Sequence, residues 1–130
     1  MIARSIRSVF APGAILPIAL SGAFFVALVA CNAERKEECD KFLAAMKPLD
    51  QGAPTPEAVD RVEGAVGAIQ FQDQALGVFA KNYRATLTVL SNTLKLAASP
   101  TAPDGTNDVV KAKAKEERTQ REDTARYCAQ

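Results

Sequence analysis

Hydrophobic residues recur at helical spacing through most of the chain after residue 32. Four segments show this pattern. They lie at about 33–47, from Pro56 through a stripe that reaches Ile69, at about 74–98 and at about 107–127. The third segment has the strongest stripe, in which neighbouring apolar positions are three or four residues apart: Leu76, Phe79, Tyr83, Leu87, Leu90 and Leu94. Alternating apolar and polar runs long enough for a β-strand do not occur. The pattern therefore predicts an all-α domain.

Loop and capping residues mark most of the predicted boundaries. Pro48, Gly52 and Pro54 end the first helix, and Thr55 followed by Pro56 is a good start for the second. A loop rich in Pro, Asp and Gly separates the third helix from the fourth at 99–105. The segment 71–74 contains neither Pro nor Gly. Residues 56–98 as one long helix, in a three-helix bundle, therefore stay an alternative to a small antiparallel four-helix bundle.

The first thirty residues differ from the rest of the chain. Arg4 and Arg7 form a short basic start, and residues 14–30 are apolar except for Ser21. This run falls at or below the roughly 20 apolar residues that a bilayer crossing needs. A basic start followed by a short apolar run is typical of a secretory signal peptide.

The end of that run is more specific. Leu28-Val29-Ala30-Cys31 resembles the lipobox of bacterial lipoproteins. The resemblance implies that Cys31 receives a diacylglyceryl group, that a signal peptidase cuts between Ala30 and Cys31, and that the new α-amine is acylated, with palmitate as a typical chain. Residues 1–30 would then be a cleaved signal, and residues 31–130 a single helical domain with 31–33 as a short lipidated tether.

The resemblance also implies a location. Lipoproteins that lack Asp after the lipidated Cys usually reach the outer membrane, and Asn32 occupies that position here. We therefore expect a lipid-anchored protein of the bacterial cell envelope, with the outer membrane favoured and the domain facing the periplasm or the cell surface. Two alternatives remain, which are an uncleaved N-terminal membrane anchor and an ordinary secretory signal beside an unmodified Cys31.

The cysteine count supports a disulfide once Cys31 is assigned to lipid. Cys39 and Cys128 then remain as an even pair in an oxidising compartment, with two free thiols as the alternative. A disulfide needs Cα atoms within about 7 Å. In a four-helix up-down-up-down bundle, the start of the first helix and the end of the fourth lie at the same end. The predicted pairing therefore favours four helices and a turn near 72–74.

Composition excludes several kinds of chemistry. The chain has no His, which removes His-based acid–base catalysis and His metal ligands. Without Arg4 and Arg7, fourteen basic side chains balance fifteen acidic ones, which argues against nucleic-acid binding. We predict no cofactor and no metal site. The acidic group at the start of the first helix fits the positive helix end and a soluble tether: Glu34, Glu37, Glu38 and Asp40.

Other polar groups also fit structural roles. We expect Tyr83 and Tyr127 at the edge of the core with hydrated hydroxyls. Lysines of the fourth helix are interpreted as part of a solvated face with i,i+4 ion pairs: Lys113–Glu117, Glu117–Arg121 and Glu122–Arg126.

The sequence therefore predicts a lipid-anchored, non-enzymatic structural, adaptor or binding module of the envelope. Its partners would be the membrane and an envelope protein that the sequence does not identify. A carrier that holds a small apolar ligand or lipid inside the bundle is the alternative function.

Overall fold

The computed structural model describes residues 22–130, with side chains from Asn32 onward. Within that part of the chain the regular structure is entirely helical. Its helices are α1 (Gly22–Met46), α2 (Pro56–Gly67), α3 (Gln74–Ala97) and α4 (Thr106–Cys128), with one 3₁₀ turn at Lys47–Asp50 after α1. The predicted all-α class and small helical bundle are confirmed.

Two side-chain caps explain why the middle of the chain forms two helices. Thr55 accepts a hydrogen bond from the backbone N–H of Ala58 and starts α2, with Pro56 in the first turn. Asp73 accepts one from Leu76 N–H at 3.0 Å and starts α3. The break between α2 and α3 spans residues 68–73, so it includes most of the predicted turn near 72–74 but starts earlier, because α2 ends at Gly67. The alternative of a single helix over 56–98 is wrong.

The start of α1 differs from the sequence expectation. We predicted a helix from about Ala33, whereas α1 begins at Gly22 and passes through residues 31–33. The predicted tether therefore belongs to the α1 backbone in this chain. No helix in the described range is long and apolar enough to span a bilayer.

The hydrophobic core lies where α1, α2 and α3 meet, and partly buried side chains of α4 pack against it. Its bulkiest fully buried hydrophobic side chains come from these three helices: Tyr83, Phe42, Leu76, Leu87, Leu90, Val59, Val62 and Val66. The ring of Phe42 packs edge-on against Phe71 and Tyr83, with centroid distances of 5.3 and 6.1 Å. Most residues of the predicted stripes of the first three helices therefore point into one core.

Polar contacts fix the antiparallel order of the helices. Asp60 of α2 accepts a hydrogen bond from Ser91, near the end of α3, and Glu63 pairs with Arg84 nearer its start. Tyr127, at the end of α4, binds Asp73 at the start of α3. Each helix therefore runs against the preceding one, and α1 meets the end of α4.

Candidate functional site

The site that the sequence singles out lies where α1 meets the end of α4. The sulfur atoms of Cys39 and Cys128 are at disulfide-bond distance, and their Cα atoms are 5.7 Å apart. Cys39 is buried within the core cluster. The two cysteines that remain once Cys31 is set aside are thus brought together by the fold. We call this region the stapled end, and define it by Arg35, Glu38, Cys39, Asp73, Tyr127 and Cys128.

Arg35 ties α1 to the last turn of α4. Its guanidinium lies 4.3 Å from the centroid of the Tyr127 ring, a cation–π distance, and donates a hydrogen bond of 2.8 Å to the Tyr127 carbonyl oxygen. Carbonyl groups at a helix C-terminus lack intrahelical partners and carry partial negative charge. Arg35 therefore caps α4 and packs against it at the same time.

Glu38 performs the matching role at the start of α3. Its two carboxylate oxygens accept the backbone N–H groups of Gln72 at 2.8 Å and Asp73 at 3.1 Å. The Glu38 residue is buried, so the sequence interpretation of it as part of a solvated acidic group is wrong. The free N–H groups before a helix need acceptors, and a buried carboxylate needs donors. The Glu38 carboxylate and the two backbone N–H groups therefore satisfy each other's hydrogen bonding.

Asp73 connects these contacts to Tyr127. Besides capping α3, its carboxylate accepts the Tyr127 hydroxyl at 3.0–3.1 Å. The hydrogen bond from Leu76 N–H, with help from Tyr127, holds the pKa of Asp73 below its ordinary value. Sequence spacing did not indicate this contact, because Asp73 and Tyr127 are 54 residues apart and lie on different helices.

The predicted lipidation and cleavage residues precede the stapled end on α1. The backbone of Ala30 and Cys31 belongs to α1, but their side chains lie outside the described residues. Cys31 stands eight residues before Cys39, which is about 12 Å along a helix. Its modification stays a prediction.

A second cluster of polar side chains, formed by Tyr83, Glu117 and Arg121, lies in the body of the bundle. Tyr83 is fully buried and its hydroxyl donates a hydrogen bond of 2.6 Å to Glu117 Oε1, so the expected hydrated hydroxyl is wrong for Tyr83. Arg121 Nε lies 2.6 Å from the same oxygen, and Arg121 also pairs with Asp50 of the 3₁₀ turn. The Arg121 Nε–H points at no acceptor among the described residues, so its contact with Glu117 is an ion pair without an aligned hydrogen bond.

Burial shifts the pKa values of Glu117, Tyr83 and Arg121. Loss of solvation raises the pKa of Glu117, and the hydrogen bond from Tyr83 opposes this only partly. The pKa of Tyr83 is raised by burial and by the same carboxylate, and that of Arg121 is lowered by burial. Ionised forms are therefore less favoured here than in water.

The ion pairs along α4 follow only part of the predicted pattern. Lys113 pairs with Glu116 at 2.6 Å, and Glu116 is one residue before the predicted partner Glu117. Glu117 does pair with Arg121, but as a buried group and not on a solvated face. Arg126 pairs with Asp123. These differences arise because Glu117 turns inward to Tyr83, which an i,i+4 rule on one helix does not represent.

A groove of about 660 Å³ runs between the second half of α1 and α4. Leu43, Met46 and Ala125 give it apolar walls, and charged side chains from both sides line the rest: Lys47, Asp50, Arg118, Arg121 and Glu122. The groove lies on the surface of the bundle. An apolar guest would therefore bind against α1 and α4 and not in the core between α2 and α3.

At the stapled end, Arg35, Glu38, Asp73 and Tyr127 bind one another or the backbone of neighbouring helices. Among the described residues, no cluster of three or more His, Cys, Asp or Glu side chains is arranged to hold a metal ion. Comparison with protein-family models, curated proteins and solved structures finds no match for this chain. The contacts of the stapled end attach α1 to the start of α3 and the end of α4.

Proposed function

We propose that this chain is a bacterial envelope lipoprotein whose helical domain is a non-enzymatic structural, adaptor or binding module. The observation that carries the proposal is the division of its three cysteines. Cys31 follows Leu28-Val29-Ala30 in a lipobox pattern, while Cys39 and Cys128 lie at bonding distance from each other. Only Cys31 is then left for an acyl group.

The position of the stapled end supports this assignment. It lies about 12 Å along α1 from Cys31, so the lipid would hold that end of the bundle close to the bilayer. Two or three acyl chains, each stabilised by about 0.8 kcal/mol per buried methylene, anchor a domain of this size durably. The groove and the outer face of α3 would remain accessible to partners, and Asn32 favours the outer membrane as the location.

The test is the mass of the N-terminal peptide from protein purified out of envelope membranes. We expect residues 1–30 to be absent and Cys31 to carry thioether-linked and amide-linked acyl groups. In Cys31→Ser the acylated peptide should disappear, and the chain should be released or left unprocessed. Ala33→Ser is the matched control, because it introduces the same side chain at an exposed position two residues away and leaves the lipobox and the disulfide unchanged. An intact Met1, or membrane retention of a processed Cys31→Ser chain, would contradict the proposal.

The groove supports a second candidate, a carrier of a small apolar ligand. Its volume of about 660 Å³ and the apolar walls from Leu43, Met46 and Ala125 suit a ligand of modest size. Organic extraction of the purified full chain, followed by mass spectrometry, should release a bound amphiphile. Ala44→Trp fills the groove from an exposed position and should abolish that signal. Extracts that match a buffer control would exclude this candidate.

A further inference from the structure

The groove between α1 and α4 changes from apolar to charged along its length. The two helices are antiparallel and the disulfide pair joins them at the stapled end, so the residues that line the groove can be ordered by distance from that pair. At 1.5 Å per residue, Leu43 and Ala125 lie about 5 Å along their helices from it, and Glu122 lies about 9 Å away. Lys47 and Arg118 lie farther, at about 12 and 15 Å.

The charged residues of the groove divide into a paired and an unpaired set. Arg121 and Asp50 form an ion pair with each other. None of the ion pairs in the described part of the chain involves Lys47, Arg118 or Glu122, and all three are exposed. Two cations, one from each wall, and one carboxylate are therefore free to contact a ligand. This balance favours an anionic group with a hydrogen-bond donor beside it.

The sequence of these groups along the groove matches one class of amphiphile. Lys and Arg side chains bind phosphate through charge-assisted hydrogen bonds. Glu122 lies between the cations and the apolar end, where its carboxylate needs a donor such as a hydroxyl group. A single-chain glycerophosphate lipid presents an acyl chain, a free glycerol hydroxyl and a phosphate in this order. A fatty acid has no hydroxyl for Glu122 and would bring a second carboxylate close to it.

We propose that the groove binds a single-chain glycerophosphate lipid. Its phosphate lies between Lys47 and Arg118, its glycerol hydroxyl donates a hydrogen bond to Glu122, and its acyl chain runs along Leu43 and Ala125 towards the stapled end. This inference rests on the groove as the ligand site of the second candidate function, and it adds the head group that the site selects.

The size of the groove agrees with a ligand of this kind. Its volume of about 660 Å³ falls within the range of roughly 300–1,000 Å³ that is usual for small-molecule sites. From Leu43 to Asp50 the groove covers about 10 Å of α1. That length holds the glycerophosphate and the first part of one chain. The remainder of the chain points to the stapled end, which faces the bilayer in the proposed orientation.

The test is photolabelling of the full chain in isolated envelope membranes. The probe is lysophosphatidic acid with a diazirine in a lauroyl chain, and peptide mapping should place the label on the segments that contain Leu43 or Ala125. Ala44→Trp fills the groove and should abolish this label. Unmodified lauroyl lysophosphatidic acid should compete with the probe. Glycerol phosphate, which lacks the chain, and lauroyl glycerol, which lacks the phosphate, should compete far less.

A charge variant tests the position of the phosphate. Arg118→Gln should raise the probe concentration needed for half-maximal labelling about tenfold, because it removes a charge-assisted hydrogen bond. Lys115→Gln removes a positive charge at an exposed position of α4 outside the groove and should leave that concentration unchanged. Since both residues are exposed, folding should persist in both variants, and circular dichroism checks this.

The glycerol hydroxyl has a test of its own. Against the wild-type chain, dodecyl phosphate should compete about tenfold less well than lauroyl lysophosphatidic acid, because it offers no donor to Glu122. In Glu122→Ala the two competitors should become equal. Glu34→Ala removes the same side chain at an exposed position of α1 outside the groove and should retain the tenfold difference.

The outcomes separate this inference from the proposed function. Labelling that Ala44→Trp does not reduce overturns the groove as the binding site. Equal competition by lauric acid overturns the glycerophosphate head group and leaves the carrier of an apolar ligand in place. Equal labelling of Arg118→Gln and Lys115→Gln overturns the position of the phosphate. The acyl state of Cys31, measured by mass in the same membranes, reports independently on the anchor.

Discussion

The contact between α2 and α3 and the contact between α1 and α4 hold the bundle in different ways. Valines of α2 and leucines of α3 fill the first contact with fully buried apolar side chains, and ion pairs lie only at its edge. The second contact has the Cys39–Cys128 pair at one end, the Arg121–Asp50 pair towards the other, and a groove of about 660 Å³ between them.

The difference shows which forces substitute for apolar packing. Burial stabilises the α2–α3 contact in proportion to the area removed from water. The α1–α4 contact has less buried apolar surface, so a covalent link and directed polar contacts fix it at separate points. Removing one such link should therefore affect α1 far more than α2 and α3.

Loss of the disulfide should be the most damaging change. The Cys39→Ser, Cys128→Ser double variant frees a loop of 89 residues, and chain entropy predicts a loss of about 4–5 kcal/mol in the free energy of unfolding. Stabilities of single domains are about 5–15 kcal/mol, so this loss is a large share. Urea unfolding monitored by circular dichroism measures it, and amide exchange in α1 should increase more than in α3.

The wild-type chain with and without reductant supplies the control for this prediction. Its reduced form should match the double Ser variant in stability, since both lack the link but retain similar side-chain volume. A change below about 1 kcal/mol in either experiment would mean that packing alone holds α1, which would remove the contrast between the two contacts.

Truncation of a core leucine tests how far apolar burial stabilises the contact between α2 and α3. Leu87 of α3 is fully buried in the core, and Leu87→Ala should lower the free energy of unfolding by about 3 kcal/mol through lost burial and a cavity. Leu43→Ala, at the half-buried wall of the groove, is the matched control and should lose much less. Equal losses in urea unfolding would show that the groove wall is packed as tightly as the core.

Most of the fold was predictable because the residues that determine each helix lie close together in the sequence. The stripe of α3, the Thr55 cap and the Pro-rich loops lie within single segments, and both ends of α3 and α4 lie within one or two residues of their predicted bounds. Helix α2 begins at the predicted Pro56 but ends at Gly67, before the last residue of its predicted stripe, Ile69. The turn near 72–74 was predicted from a different argument, the need to bring Cys39 and Cys128 to one end. The early start of α1 was missed because the apolar run was set aside as a signal.

The polar sites were predicted less well because their partners are distant in sequence. Glu38 and Glu117 look like ordinary surface acids, yet each is buried against groups that lie 34 or 35 residues away. Spacing within a single helix carries no information about partners on another helix. The one available signal was position: Glu38 adjoins Cys39 and precedes the apolar Phe42 by four residues, and Glu117 follows Val110 and Ala114 on the same face.

The smallest expected effect is a difference in pH dependence between the two regions. At the stapled end, the lowered pKa of Asp73 means that its stabilisation is present above its ordinary pKa and is lost as the pH falls. In the body of the bundle, the raised pKa of Glu117 means that the folded state holds its proton more tightly. That contribution is complete below the ordinary value of 4.5 and is lost as the pH rises through the raised one.

Two isosteric variants separate these contributions. Asp73→Asn can still cap α3, so its stability should fall less than that of the wild type as the pH is lowered. Glu117→Gln can still accept the hydrogen bond from Tyr83 and should remove the loss of stability that the wild type shows above pH 4.5. Urea midpoints across this range measure both. If the Glu117→Gln profile runs parallel to the wild-type profile, Glu117 does not titrate as a buried group, and its ion pair with Arg121 then compensates for its loss of solvation.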